Sequence, residues 1–359
     1  MRLVFAGDFV PLDGFTAHFD DQVIDIFKGA DFSIANLECP LTNSVHKIVK
    51  SGPSLKARPN QIEQLISLGV NCVTLANNHI RDYSDPGVVD TLHTCKNFGV
   101  QTVGAGENAA AARKFMHLKK GNESVVIINA AENEFNIAGG NSAGANPIDL
   151  INLLRDIASA RKVSRNVVLI LHGGREHVNI PSPESVRLLR FLAEQEGVVA
   201  VIRHHPHVIQ GKEIHCGVPI YYSLGNFYIP QKKERAKAWW EGLIVELQMC
   251  DNAVRCREIK VKVARSDVLH FQIGIDSAPV ELPTLDEAEA RNVWREEFKR
   301  NALTYKLNLI YPWPYFVLRL LRKCGAGFLV RPNPIAQCYL RCDAHLEMLR
   351  HAIGASTLD

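Results

Sequence analysis

No stretch of this 359-residue chain reaches the ~18 apolar residues that a membrane-spanning helix requires. The N-terminal MRLVFAGDF runs straight into a strand-like segment, without the basic region and following apolar region of a signal peptide. Cys-x-x-Cys pairs are also missing. The nine cysteines are odd in number and mostly embedded in apolar runs, such as Cys72 in VNCVTLA. That pattern excludes a disulfide framework and fits reduced thiols of a cytoplasmic protein. Cys338 and Cys342 stand four apart on an expected helix and read as packing residues. Internal repeats and low-complexity tracts are absent, and a net charge of +3 gives no reason to expect nucleic-acid binding. With 47% hydrophobic and 22% charged residues, the composition is that of an ordinary globular protein.

The small excess of positive charge is unevenly placed. Residues 291–350 carry eleven Arg/Lys against four acids, so the basic character belongs to the C-terminal tail. Upstream of it, apolar runs of strand length alternate with helical patterns. The runs LVFA (3–6), FSIAN (32–36), CVTLA (72–76), SVVIINA (124–130), NVVLILH (166–172), VVAVI (198–202) and PIYYSL (219–224) read as buried strands. Helix starts are marked at Pro59-Asn60, Asp85-Pro86, Pro147 and Ser182-Pro183, with Gly69 and Gly99 as stops. Asp251-Asn252 between two alternating runs predicts a hairpin. The whole pattern predicts a layered α/β fold over residues 1–280 and a basic helical extension over 281–359, with helices over 284–303 and 334–352.

Polar clusters recur at the C-terminal ends of these strands, where layered α/β proteins place their sites. Gly7-Asp8, Asn36-Leu37-Glu38, Asn77-Asn78-His79 with Asp82, His172-Gly173-Gly174 with Glu176, His204-His205-Pro206-His207 and Ser223-Leu224-Gly225-Asn226 each follow a strand. Any one of them alone would pass for a turn, a solvated acid or a satisfied core histidine. Together, two carboxylates, an amide and several imidazoles make a mixed nitrogen and oxygen donor set, which suits Mn, Fe or Zn better than Ca. A carboxylate bridging two such ions holds them ~3.5–4 Å apart, the spacing used to activate water. His79, next to an amide donor, is placed to protonate a leaving group, with Asp82 orienting its ring.

The ordered motifs Gly7-Asp8, NLE (36–38), LANNHIRD (75–82), GAGEN (104–108), HGGRE (172–176), HHPHVIQGKE (204–213) and YSLGNF (222–227) resemble those of the CapA-type proteins of poly-γ-glutamate and capsule biosynthesis. That family looks like a branch of the calcineurin-like metallophosphoesterase superfamily. The resemblance spans roughly residues 2–250. It implies a four-layer α/β/β/α sandwich, one or two divalent metals, and Asp8, Glu38, Asn78, His172, His205 and His207 as metal ligands. By the same resemblance His79 is the catalytic acid, assisted by Asp82. Arg58, Arg203 and Asn226 are candidate substrate contacts, and Glu176 and His204 are expected to support the ligands from behind.

The chain departs from the pattern at four places. Phe9 and Val10 follow Asp8, where the phosphoesterases have Asp-x-His. Glu38 stands where they use a bridging Asp, Gly173 where the family commonly has Trp, and Arg203 where it commonly has Gly. The function implied is a metal-dependent hydrolase of exopolymer synthesis, a metal-activated water attacking an amide or ester. A metallophosphoesterase and a non-catalytic accessory subunit of a polymer synthase are the alternatives. Expected partners are an anionic polymer or small anionic substrate and capsule-synthesis proteins, but no nucleic acid. The basic, aromatic stretch YPWPYFVLRLLRK (311–323) reads as a helical cap or as a membrane-surface contact within 291–350, on a cytoplasmic protein at the inner membrane face.

Overall fold

A computed structural model describes residues 1–250, 253–282, 285–309 and 341–352. Nine strands form the first sheet. In spatial order they are Thr16–Phe19 (β2), His270–Ile275 (β17), Ala253–Arg265 (β16), Glu241–Cys250 (β15), Arg2–Phe9 (β1), Phe32–Leu37 (β3), Cys72–Thr74 (β4) and Gln101–Val103 (β5), with Asn226–Tyr228 (β14) pairing onto the end of β1. The second sheet runs Lys212–His215 (β12), Val218–Tyr221 (β13), Val198–His204 (β11), Val167–His172 (β10), Glu123–Ala131 (β8) and Met116–Lys120 (β7). A short ribbon joins Ala105–Gly106 (β6) to Gly144–Ala145 (β9).

Side-chain alternation along the strands builds the layers. On β1, Leu3 and Phe5 enter a core shared with Ile127, Val168, Ile170 and Ile202 of the other sheet. Val4 and Ala6 point the other way, onto Asp21–Lys28 (α1), Glu63–Leu68 (α2) and Ser84–Asn97 (α3). A short turn of helix, Ala109–Ala112 (α4), follows β6. On β8, Val126 and Ile128 meet Leu150–Ala160 (α5) and Pro183–Ala193 (α6). The result is helix, sheet, sheet, helix, the four layers expected. Strands buried on both faces carry unbroken apolar runs, and this is why they were readable in the sequence. The expected hairpin is β15–β16, paired from Glu241↔Lys262 to Cys250↔Ala253. β2 and β17 were not expected. They are short, partly exposed strands at one end of the sheet, β2 at its edge and β17 next to it, without a strong apolar signature.

Glu287–Leu309 (α7) and Asp343–Ala352 (α8) pack on one another through Trp294, Phe298, Met348 and Leu349. Trp294 fastens α7 to the sandwich, its indole donating to the Pro181 carbonyl at 2.9 Å. The aromatic basic stretch 311–323 and residues 334–340 of the last expected helix lie outside the described residues. No helix among the described residues is long and apolar enough to cross a membrane.

Candidate metal centre

The two sheets present the C-terminal ends of β1, β3, β10 and β11 at one place. Gly7 is required there. A Cβ on it would stand 2.1 Å from the Gly225 carbonyl oxygen, so only glycine lets β1 run beside β14 and set Asp8 opposite Asn226. Asp8 is fully buried, with Oδ1 accepting from Asn36 Nδ2 at 2.7 Å and Oδ2 from the His205 backbone N–H at 3.1 Å. His207 Nδ1 lies 3.5 Å from Asp8 Oδ2. Across the cleft, Glu38 Oε1 is 3.4 Å from His172 Nε2 and 3.8 Å from His207 Nε2. Asn78 Oδ1 is 3.0 Å from His172 Nε2, and the rings of His172 and His205 are 4.8 Å apart. All six ligand candidates are thus brought together. Potential ligand atoms of Glu38, His205 and His207 lie within 4.8 Å of one another.

His205 and His207 both have positive φ, 97° and 58°. In an ordinary strand, positions two apart share a face but would continue the sheet. Here Pro206 sits between two left-handed residues, a conformation costing on the order of 1–3 kcal/mol each, which is tolerated mainly at functional sites. The turn curls both imidazoles into the cleft. The loop after β10 is hydrogen-bonded to it, Gly173 N–H to the His204 carbonyl at 3.1 Å and His177 N–H to the Pro206 carbonyl at 2.9 Å.

The donor chemistry fits a cation. Both carboxylate oxygens of Glu38 and the Nδ1 atoms of His204 and His205 are buried without a hydrogen-bond partner. Such orphaned polar atoms are rare and costly in a folded protein. Burial, and then the charge of Asp8, push the Glu38 carboxyl well above its ordinary range. Burial also acts to raise Asp8, but the His207 hydrogen bond and the neighbouring imidazoles outweigh it and hold Asp8 below the usual range. Burial would lower His207, yet Glu38 and Asp8 raise it to about 10. His172 and His205 are driven well down, chiefly by burial, and so are neutral donors. A divalent ion at these donors would compete with protons, so its binding would be coupled to proton release.

His79 and Asp82 form the expected pair, with Nδ1 2.6 Å from Asp82 Oδ2. Their third member, Lys50, carries no motif that marks it in the sequence. Its Nζ is 2.6 Å from Asp82 Oδ1 and 3.4 Å from His79 Nδ1, and its side chain is buried. Burial first, then Lys50, lower His79 against the opposing pull of Asp82. A cavity of about 440 Å³ opens in front, lined by Glu38, Lys50, Asn78, His79, Glu134, Glu176, His177, His207, Arg235, Trp239 and His345 among others. Burial raises Glu134 to about 7.

The three expected substrate contacts are each engaged within the protein. Arg58 is exposed and pairs with Asp13 at 3.2 Å, away from the cavity lining. Arg203 is buried and turns from the donors to Glu132, 2.6 Å away, because it lies on the helix-facing side of β11. Asn226 is engaged within the protein. Its Oδ1 is 2.9 Å from His207 Nδ1 and its amide donates to the Trp239 carbonyl at 3.0 Å, so it orients a ligand candidate. His204 approaches Asp8 Oδ1 at 3.4 Å, and Glu176 stands half-exposed 3.9 Å from His205. Asn36 was passed over as part of NLE, yet it bridges Asp8 and His172 and accepts from Thr74 at 3.2 Å.

Among known proteins, the chain is 30% identical over 217 residues to the PGA biosynthesis protein CapA of Bacillus subtilis, covering 59% of this chain and 57% of that one. It is 26% identical over 249 residues to the capsule biosynthesis protein CapA of Bacillus anthracis, covering 66% and 59%. The chain thus spans less than three fifths of the length of these relatives. Among solved structures it is similar to the calcineurin-like phosphoesterase YfkN from Bacillus subtilis, at 13% identity and TM-score 0.42, covering 84% of this chain and 97% of that one. A 5'-nucleotidase precursor from Thermus thermophilus gives 13% identity and TM-score 0.41, covering 72% and 54%. The family model described as bacterial capsule synthesis protein PGA_cap matches residues 2–231, and the chain belongs to that family.

Proposed function

We propose that this protein is a metal-dependent hydrolase of capsule or poly-γ-glutamate synthesis that cleaves an amide or ester of an anionic substrate. The observation that carries the reading is the buried Glu38 carboxylate, which has no hydrogen-bond partner and faces a ring of imidazoles. Asp8, Glu38, Asn78, His172, His205 and His207 would hold the ion. When bound, a divalent metal supplies Lewis-acid polarisation of the substrate oxygen and activation of water.

The chain's own residues do the rest. Asn36 fixes Asp8 and His172, and Asn226 fixes His207, so that the donors meet an ion without rearrangement. With Nδ1 held by Asp82, His79 offers Nε2 toward the cavity as the atom at which a proton is passed to a leaving group. Lys50 locks Asp82, and the Leu55 backbone N–H donates to its other oxygen at 2.7 Å. A pure binding module has no use for an imidazole oriented in this way, and this favours turnover over an accessory role.

The test is metal analysis of the purified protein, followed by γ-glutamyl amide and phosphodiester substrates with and without added Mn. Expected are stoichiometric metal and Mn-dependent cleavage of the amide or ester. Absence of transition metal binding, with wild-type behaviour in a His205→Ala/His207→Ala variant, would sink the reading. Cleavage of the phosphodiester alone would turn it to a phosphoesterase.

A further inference from the structure

Helix α8 lies far beyond the family-matched residues 2–231, yet it reaches the metal centre's cavity. His345 on α8 lines that cavity together with Lys50, Glu134, Glu176 and His177 from the matched part of the chain. Glu132 is what holds it there. This buried residue directly follows β8. Its Oε1 accepts from Arg203 at 2.6 Å and from the Gly174 backbone N–H at 2.9 Å. Its Oε2 accepts from the Ala344 backbone N–H at 3.3 Å and from Cys342 Sγ at 3.2 Å. One carboxylate therefore ties together the loop after His172, the strand leading to His205, and the first turn of α8.

Two further residues of the matched part of the chain meet at this carboxylate. Arg203 is its ion-pair partner. Gly173 leaves it room, since a Cβ there would lie 2.4 Å from Glu132 Cδ and 2.5 Å from Cγ. A bulky residue at 173 and Glu132 in this position exclude one another. Arg203, Gly173 and the C-terminal helix thus make one arrangement around Glu132. At its far end α8 is clamped by Met348 and Leu349 against Trp294 and Phe298 of α7.

We propose that α8 is an integral wall of the catalytic cavity, docked through Glu132, and that His345 is a specificity-determining residue contacting an oxygen of the substrate held at the metal centre. The His345 contact rests on the hydrolase reading above, whereas the docking does not. A cap that merely covered apolar surface would put no side chain in the cavity and would leave ligand affinity untouched.

Hydrogen exchange of the full chain tests the docking. Backbone amides of 342–352 should be protected in wild type. In Glu132→Gln they should exchange at least tenfold faster beyond any acceleration shared with the amides of β10, which report the stranding of Arg203. Should Glu132→Gln fail to fold, Leu349→Asp releases the same helix from α7 without entering the sandwich core. Fast exchange of 342–352 in wild type, or full protection in the variants, overturns the docking. His345→Ala is then read with Mn and inorganic phosphate as probes. Expected are unchanged Mn stoichiometry and phosphate affinity roughly three- to tenfold weaker, the scale of one hydrogen bond. Equal phosphate affinity overturns the role of His345. Failure of wild type to bind Mn defeats the metal reading and the His345 contact with it, and leaves the docking to stand or fall on exchange.

Discussion

Glu38 and Asp8 are both buried carboxylates of the same centre, and the structure predicts different consequences of neutralising them. Asp8 has its hydrogen bonds made, from Asn36 and from the His205 backbone. Glu38 has none on either oxygen. An unsatisfied buried polar group costs about 1–3 kcal/mol, and losing a partner from a satisfied one costs the same order. Metal-free Glu38→Gln, whose amide is no better satisfied there, should therefore be about as stable as wild type, and metal-free Asp8→Asn about 1–3 kcal/mol less stable. Added metal should separate wild type from Glu38→Gln. A ligand at a hundred times its Kd adds about 2.7 kcal/mol. In a domain of this size each kcal/mol raises Tm by roughly 2–4 °C, so wild type should gain about 5–10 °C with saturating Mn. Neither variant should gain more than about 2 °C by that scale. Thermal unfolding of EDTA-treated protein, with and without Mn, measures all these values. If Glu38→Gln destabilises the metal-free protein as much as Asp8→Asn, or keeps the Mn response, the orphaned carboxylate is not a metal donor and the argument fails.

Other consequences can be checked by equilibrium unfolding. Glu347 on α8 is buried, and burial above all raises its carboxyl to about 7. Because the folded value lies above the unfolded one, its contribution is intact below the unfolded value near 4.5 and is lost as pH rises toward 7, by roughly 3 kcal/mol. Glu347→Gln should flatten that decline between about pH 4.5 and 7.5, and a variant paralleling wild type would refute the assignment. Arg203→Met alone should cost about 3–5 kcal/mol by stranding Glu132, and Arg203→Met/Glu132→Met should recover at least half of it. A double variant no better than the single one would show that the pair is not coupled. Gly7→Ala forces a methyl against the Gly225 carbonyl and should cost about 1–3 kcal/mol with a matching loss of Mn affinity, read by calorimetry. Unchanged Mn affinity would mean that the β1–β14 register does not set Asp8.

The stretch VIRHHPHV shows what part of this site could be read from sequence and what part could not. Its strand was legible because Val201 and Ile202 are buried on opposite faces, Val201 toward the helices and Ile202 toward the other sheet. Strict alternation then sends Arg203 to the helix side and His204 to the inner side, and the structure has Arg203 on Glu132 and His204 on Asp8. The direction of Arg203 was thus available from the pattern alone. The same face relation holds on β8, where Val126 and Ile128 face the helices and Glu132 continues their parity. What alternation cannot supply is the turn at His205, because a positive φ on a non-glycine residue has no local sequence signal beyond the proline after it. Nor can it supply Lys50, delivered by a loop without periodicity, or His345, whose approach depends on a carboxylate over two hundred residues earlier in the chain. Ligands at strand ends are fixed by the sheet and can be read with it. Residues that close the cavity from loops and from the C-terminal helix are fixed by tertiary contacts such as the Glu132 carboxylate, and these exist only once the sandwich has formed.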